Sequence, residues 1–291
     1  MPARLIVNAD DFGLTAGVNR AIGELHEAGV LTSATLMANG AAFEDAVEVA
    51  RRHPKLGVGC HVVLTDGVPV SPPESIPSLL GPDERSFRPE LGAFLRALLR
   101  GDIRHEEIER EALAQITRLK DAGLAVTHVD SHKHTHLFPS VTRPVLEAAR
   151  RTGVTAVREP FEPGWSMDLR QGSWQRRAVV RLATLLRAKF EAQPAILAGD
   201  IRTTNGTLGI SGTGNLEAGS LAQILRALPE SGTYELCCHP GYNDADLDSV
   251  RTKLREHREV ERDALLEEIS RALGGAYPPE LVSYAALTRE R

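Results

Sequence analysis

The chain has 291 residues and a formal net charge of −5, with 42% hydrophobic and 25% charged residues. This is the composition of a globular protein large enough to bury a core without disulfides. The acidic balance argues against nucleic acid as a partner, because phosphate binding needs a basic surface. Three cysteines, two of them adjacent, do not resemble a disulfide framework and favour a reducing, cytoplasmic location. No apolar run reaches the roughly 20 residues of a membrane span, so no transmembrane segment is expected.

Short apolar runs alternate along the chain with longer amphipathic stretches. The predicted strands are residues 5–9, 32–37, 56–64, 125–129, 154–157, 234–238 and 281–283. The predicted helices among them are residues 18–28, 43–52, 108–122 and 141–152. Strands that alternate with helices form a parallel sheet covered by helices. About seven or eight such strands over this length predict an α/β fold, a distorted (β/α) barrel of mostly parallel strands.

Two stretches interrupt this alternation. Residues 67–89 are rich in Pro and Ser and predict a long loop. Residues 159–200 contain a basic amphipathic run, 176–190, which predicts an inserted helix. Such a run is typical either of a packing helix, which is the favoured interpretation, or of peripheral membrane contact. We therefore predict a single domain, 1–291, with a lid-like inserted segment at about 160–196.

The pair Asp10–Asp11 directly follows the first predicted strand. In parallel α/β folds, the carboxyl ends of the strands converge on the active site. Two neighbouring carboxylates repel each other unless a cation lies between them, so one is expected to bind a divalent metal and the other to act as a general base. The alternative is a helix cap, because Asp is a favoured residue at the position before a helix.

A histidine-rich tract, D-S-H-K-H-T-H, occupies residues 130–136 after the fourth predicted strand. On an extended segment His132, His134 and His136 lie on one side. Neutral imidazole is a ligand for Zn²⁺, Fe²⁺, Co²⁺ or Ni²⁺. The density of the tract favours a metal-binding or catalytic role, in which any histidine that is not a ligand binds substrate or orients the site.

Three further side chains follow other predicted strands: His61, Arg158 and His239. Taken alone, a histidine at a strand end is more often a structural residue than a catalytic one. All three are expected at the rim of the barrel, the edge formed by the carboxyl ends of the strands, and this common location favours a functional role. Imidazole is also the side chain best suited to donate a proton to a leaving amine near neutral pH.

The sequence resembles the YdjC-like family, which includes chitooligosaccharide deacetylases of the ChbG type and hopanoid-biosynthesis proteins of the HpnK type. The blocks that carry the resemblance are LIVNADDFGLTAGVNRAI, GVLTSATLMANG, GVGCHVVLTDGVPV, THVDSHKHTHLFP and CCHPG. The block VLTDGVPVSPP is more similar to the hopanoid-associated branch. The resemblance covers nearly the whole chain and implies a distorted barrel that removes N-acetyl groups from amino sugars with one divalent cation.

The resemblance also implies a role for each matching residue. Asp10 corresponds to the catalytic base and His239 to the acid. Asp11, His61 and His132 correspond to the metal ligands. Mg²⁺ is the cation that the resemblance favours, with Zn²⁺ or another transition metal as the alternative.

Arg158, His134 and His136 remain as candidates for substrate binding. The expected substrate is an acetylated amino sugar, either an oligosaccharide or a glycolipid. Two other functions stay open: another metal-dependent amidase or a phosphoesterase on the same barrel, and a non-catalytic carbohydrate-binding protein. The sequence leaves the oligomeric state open, with a homodimer among the alternatives.

Overall fold

The computed structural model describes residues 3–169 and 171–289. Within them, seven parallel strands form one sheet in the order β4-β3-β2-β1-β6-β5, with β7 also paired to β1. The strands are β1 (Arg4–Phe12), β2 (Ser33–Leu36), β3 (Gly57–Val62), β4 (Val126–Ser131), β5 (Thr207–Leu208), β6 (Thr233–Cys238) and β7 (Glu280–Leu281). The predicted parallel α/β architecture is confirmed.

Helices surround the sheet. In chain order they are α1 (Ala16–Glu27), α2 (Phe43–Arg52), α3 (Leu91–Arg100), α4 (His105–Asp121), α5 (Pro139–Arg151), α6 (Gly164–Met167), α7 (Trp174–Ala183), α8 (Arg187–Glu191), α9 (Pro194–Leu197), α10 (Ala218–Arg226), α11 (Ala245–Asp248), α12 (Glu256–Leu273) and α13 (Ala285–Arg289). The predicted loop at 67–89 contains two short 3₁₀ turns, Pro73–Ser75 and Pro77–Leu79, and an isolated antiparallel bridge between Leu80 and Phe87.

The sheet curls into a distorted barrel, and irregular pairing continues it beyond β4. Val129 of β4 forms a parallel bridge with Val157, and Ala156 forms another with Arg202. The predicted strand at 154–157 is therefore present only as two isolated bridges. Pro160 and Pro163 follow within six residues, and proline has no N–H to donate to a regular ladder.

Alternate residues of the strands turn polar side chains into the barrel. Asn8 and Asp10 of β1 bond to each other, and Asn8 also bonds to Thr35 of β2 and contacts His128 of β4. The intervening positions face the helices and belong to the main apolar core. Gly59 of β3 leaves room for His128, because a Cβ atom there would lie 2.5 Å from the imidazole ring. The buried interior of the barrel is thus hydrophilic and specifically packed.

The inserted segment is largely helical, and it has one buried and one exposed side. α7, a 3₁₀ turn at Thr184–Leu186 and α8 follow one another over the stretch predicted as a helix. Val180 and Phe190 are buried, and Phe190 stacks edge-on against His136 and Phe161. The large apolar side chains that stay exposed are Trp174, Val179, Leu182 and Leu185. In residues 3–169 and 171–289, no helix has the length and apolar character required to cross a membrane.

Candidate active site

An irregularity at the end of β1 brings two adjacent carboxylates to the same rim. The register of β1 against β2 shifts between Ala9 and Phe12, and Asp11 has φ of 63° in the left-handed region. On a regular strand, neighbouring side chains point to opposite faces. The shift removes that constraint. Neither carboxylate caps α1, since the cap is Thr15, whose hydroxyl accepts a hydrogen bond from the Val18 N–H.

Three side chains with metal-binding atoms converge at this rim. Asp11 Oδ1 lies 3.4 Å from His132 Nδ1 and 3.7 Å from His61 Nε2, and the two imidazole nitrogens are 3.4 Å apart. His61 is buried in β3, whereas the side chain of His132 is 22% exposed. One carboxylate and two imidazoles, open to solvent on one side, are a donor set that fits a divalent cation.

Asp130 orients His61 from behind. Its Oδ1 lies 2.7 Å from His61 Nδ1, which leaves Nε2 directed at Asp11 and His132. Burial alone would lower the pKa of His61, but the negative charge of Asp130 and its hydrogen bond raise it to about 9. A carboxylate behind a histidine in this way is the usual support of a metal-ligating imidazole.

Asp10 is held by a fully buried arginine. Arg158 donates two hydrogen bonds to Asp10, at 2.8 and 2.5 Å, and also pairs with Asp130 and Glu235. Burial would raise the pKa of the Asp10 carboxyl, but the Arg158 guanidinium holds it well below its usual value. Asp10 is therefore ionised at neutral pH.

His239 follows β6 and lies beside Asp10. Its Nε2 is 3.8 Å from Asp10 Oδ2, and its side chain is 12% exposed. Glu261 of α12 accepts a hydrogen bond of 2.6 Å from the His239 backbone N–H. From the same helix, Arg258 donates a 2.6 Å hydrogen bond to Asp11 Oδ2. Burial would raise the pKa of the Asp11 carboxyl, but Arg258 holds it well below its usual value.

The three candidates for substrate binding occupy different environments. Arg158 and His136 are fully buried, and His136 contacts the Ser131 hydroxyl at 2.6 Å and the Arg158 carbonyl at 3.3 Å. Burial lowers the pKa of His136 to about 4, so this ring is neutral. His134 is partly exposed and has φ of 51°, and its buried Nδ1 lacks a hydrogen-bond partner within the described residues. His134 is thus the one of the three with free hydrogen-bonding capacity next to solvent.

Among the described residues, two other groups could geometrically hold a cation, and both are less suitable. One combines Asp10 with Cys237 and His239, and the other combines Asp10 with His61 and Asp130. Both oxygens of Asp10 are already bonded to Arg158. Burial also raises the pKa of Cys237 well above its usual value, so its thiol is protonated and a poor ligand.

Three supporting residues are absent from the set predicted on sequence, Glu235, Arg258 and Glu261, and a fourth, Asp130, was included in the tract at the rim without a role of its own. Asp130 stands in the D-S-H-K-H-T-H tract, and its position after a strand was a usable signal. Glu235 lies inside a strand whose other residues are mostly apolar, and a buried charge in such a strand is itself a sign of pairing. Arg258 and Glu261 lie in a highly charged helix, where no local pattern distinguishes them from surface residues.

The fold and the site together define a class: parallel α/β barrels that carry an aspartate–histidine cluster at the carboxyl ends of their strands. Residues 4–273 match the family model described as YdjC-like protein. The chain belongs to the YdjC-like family.

Relatives and a solved structure agree with this membership. A carbohydrate deacetylase of Brevibacillus brevis is 49% identical over 158 residues, which are 54% of this chain and 60% of that protein. A mouse carbohydrate deacetylase is 36% identical over 248 residues, 82% of this chain and 78% of that protein. An Enterococcus faecalis V583 protein, provisionally named a cellobiose-phosphate cleavage protein, is 25% identical and covers 99% of both chains with a TM-score of 0.80. The match to the Brevibacillus protein spans less than two thirds of that relative's length.

Proposed function

We propose that this protein is a metal-dependent carbohydrate deacetylase that hydrolyses the N-acetyl group of an acetylated amino sugar. The observation that carries the proposal is that a cluster of metal-binding side chains and a carboxylate–imidazole pair lie side by side at the same rim. The Asp11, His61 and His132 ligand atoms lie next to Asp10 and His239, whose side chains approach to 3.8 Å. Relatives named carbohydrate deacetylases support the class of substrate.

The proposed ligands of the cation are Asp11, His61 and His132. A bound divalent cation would supply Lewis acidity and a lowered pKa for water. Two imidazoles among three protein ligands favour a transition metal such as Zn²⁺ or Co²⁺ over Mg²⁺, which prefers oxygen donors. Mg²⁺, which the family resemblance favours, is the alternative that a titration with each metal distinguishes.

Asp10 and His239 are the proposed acid–base pair. Asp10, ionised beside Arg158, takes a proton from the attacking water as the oxygen bonds to the acetyl carbonyl carbon. His239 gives a proton to the amide nitrogen as the C–N bond breaks, so that acetate and a free amine leave. The short distance between the two side chains lets the proton taken by the base return through the acid.

The inserted segment is proposed to act as a lid over the non-reacting part of the substrate. Its α8 packs on α5 and on His136, beside the strand ends that carry the site. Its exposed apolar side chains on α7 suit either a lipid-linked sugar, as in the hopanoid-associated branch, or a contact with a membrane surface or a second subunit.

Acetate release from a panel of acetylated amino sugars, with and without a chelator, tests the function. We expect chelator-sensitive release from at least one mono- or oligosaccharide, with restoration by one divalent metal. Release that is insensitive to the chelator would contradict metal dependence. Hydrolysis of phosphate esters without acetate release would favour a phosphoesterase instead.

A further inference from the structure

The two carboxylate oxygens of Asp11 have different neighbours. Oδ1 faces His132 Nδ1 and His61 Nε2 at 3.4 and 3.7 Å, whereas Oδ2 accepts the 2.6 Å hydrogen bond from Arg258. The arginine therefore does not occupy the side of the carboxylate that faces the imidazoles. A cation can therefore bind to Oδ1 and the two imidazoles while the Arg258 guanidinium stays bound to Oδ2.

The same helix also holds the backbone of His239. Arg258 lies in the first turn of α12, and its Nη1 donates to the His239 carbonyl at 3.5 Å. Glu261, one turn later, accepts from the His239 N–H at 2.6 Å. α12 thus binds the backbone N–H and carbonyl of His239 as well as Oδ2 of Asp11.

The backbone after His239 lies close to α12, and a glycine there makes this close contact possible. The Gly241 N–H donates to the Arg258 carbonyl at 3.2 Å, and a Cβ atom at Gly241 would lie 3.1 Å from Arg258 Cδ. Arg258 itself is 1% exposed, so its guanidinium has no role as a surface charge. A buried guanidinium has few rotamers open to it, and its planar donors fix the orientation of the carboxylate that they bind.

We propose that Arg258 is a positioning residue for the divalent cation, which turns Asp11 Oδ1 toward His61 and His132 and fixes the distance between the cation and His239. This inference rests on the proposed metal-dependent function. Arg258 does not touch the cation or the substrate. It acts through Asp11 and through the backbone of His239.

Cobalt binding to the purified full chain, stripped of metal with a chelator, tests the proposal. Titration calorimetry with Co²⁺ measures affinity, and the visible absorption of bound Co²⁺ reports the geometry of its ligands. We expect R258Q to weaken Co²⁺ binding by about 10- to 100-fold, as is usual when a residue that orients a metal ligand is lost. We expect R258K, which keeps the charge but not the planar donors, to lose less affinity and to shift the absorption bands.

The matched control is R262Q, one turn further along α12. Arg262 lies over the Tyr242 ring and pairs with Asp263, away from the rim, so its loss should leave Co²⁺ affinity and absorption unchanged. Circular dichroism of each variant verifies folding.

The outcomes separate this inference from the proposed function. A folded R258Q with the affinity of the original chain would overturn the positioning role while leaving the cation site intact. Should R258Q fail to fold, R258K decides, and unchanged affinity and absorption in that variant would overturn the role. If the original chain does not bind Co²⁺, or if D11N binds Co²⁺ as tightly as the original chain does, the proposed cation site is wrong. The positioning role of Arg258 is then wrong as well.

Discussion

Asp10 and Asp11 are neighbours in sequence but belong to separate hydrogen-bonding systems. Asp10 is bonded through both oxygens to Arg158, while Asp11 uses one oxygen for Arg258 and presents the other to two imidazoles. A carboxylate with a free oxygen beside two ring nitrogens is the better ligand. The assignment of Asp11 to the cation and Asp10 to proton transfer has its physical basis in this difference.

Replacing the two carboxylates should have different effects. D10N keeps the shape of the side chain and removes the base, so we expect kcat to fall about 10²- to 10⁴-fold while the cation stays bound. D11N should lose the cation itself. Acetate release and metal content after gel filtration measure both effects. If D10N strips the metal and D11N retains it, the two roles are reversed.

His239 should be needed for turnover and not for the cation. H239A removes the proposed acid, and we expect a loss of about 10²- to 10⁴-fold in kcat with the metal content unchanged. H105A is the matched control, because His105 lies exposed at the start of α4, outside the rim. A fully active H239A would show that the leaving amine takes its proton from another group.

The rim residues could be predicted because each stands at, or directly after, the carboxyl end of a strand. His61 is the last but one residue of β3, and His239 follows β6 at once. The hydrogen-bond and ion-pair partners of these residues could not be predicted from the sequence. Arg158 was placed at the rim, but nothing local indicates that it pairs with Asp10, which is 148 positions away. Long-range ion pairs of this kind depend on topology and leave no local pattern.

At the level of secondary-structure elements, α12 is the clearest omission among the sequence predictions. Its sequence, EHREVERDALLEEISRAL, has charged residues on the side that packs inward, so its apolar residues do not form a helical stripe. Arg258 and Glu261 are buried there because their partners lie in the site. The inserted segment shows the opposite case. Its apolar spacing correctly predicted a helix, but several of those apolar residues face outward.

The attachment of the inserted segment should depend on pH through Glu159. Burial raises the pKa of Glu159 to about 7, although Arg187 of α8 lies 3.1 Å away and opposes the shift. Since the pKa of an unfolded glutamate is about 4.3, the folded protein holds a proton between those values that the unfolded chain releases. The free energy of unfolding must therefore decrease as pH rises through this window, by at most about 1.4 kcal/mol per pH unit from this group.

The variant E159Q should lack this dependence. Urea unfolding near pH 5 and near pH 8 measures the free energy of unfolding of both proteins. Between these pH values, E159Q should gain about 1–3 kcal/mol relative to the original chain. E48Q is the control, because Glu48 is an exposed carboxylate of α2 that pairs with Arg51. Parallel pH curves for E159Q and the original chain would contradict the raised pKa.

On the scale of the whole molecule, the rim contains more negative than positive groups. Within residues 3–169 and 171–289 the buried guanidiniums are those of Arg158 and Arg258, and the buried carboxyl groups around them are Asp10, Asp11, Asp130, Glu235 and Glu261. An added divalent cation would reduce the repulsion among these carboxylates. The cation should therefore stabilise the folded state but not the unfolded chain, and so raise the free energy of unfolding.

Thermal unfolding should detect this gain. At a free cation concentration of about 100 times Kd, the folded state is stabilised by about 2.7 kcal/mol. For a chain of this size we expect Tm to rise by roughly 5–10 °C in differential scanning fluorimetry and to return on addition of a chelator. D11N should show no rise. An equal rise in D11N would mean that the cation binds elsewhere.

The alternation of strands and helices was sufficient to predict the parallel barrel, because most of the long elements, although not α12, have their own apolar pattern. The pattern failed where the sheet is irregular. β5 has only two residues, too few for a periodicity to appear, and the strand predicted at 154–157 forms only two isolated bridges. α3 and α10 were also missed, as short helices of ten and nine residues, the second of which follows a glycine-rich stretch.

The central position of β1 has a consequence for how the protein is made. β1 is paired on one side with β2, which follows soon after it, and on the other with β6, where Cys237 meets Asp10 from 227 positions along the chain. During synthesis the strand that carries the proposed base leaves the ribosome early, while its second neighbour and His239 emerge late. Contacts between such distant segments form slowly, and until they do β1 has an unpaired edge that other chains can join. A nascent chain halted before residue 233 would thus carry the base without the acid, together with an open strand in need of a chaperone.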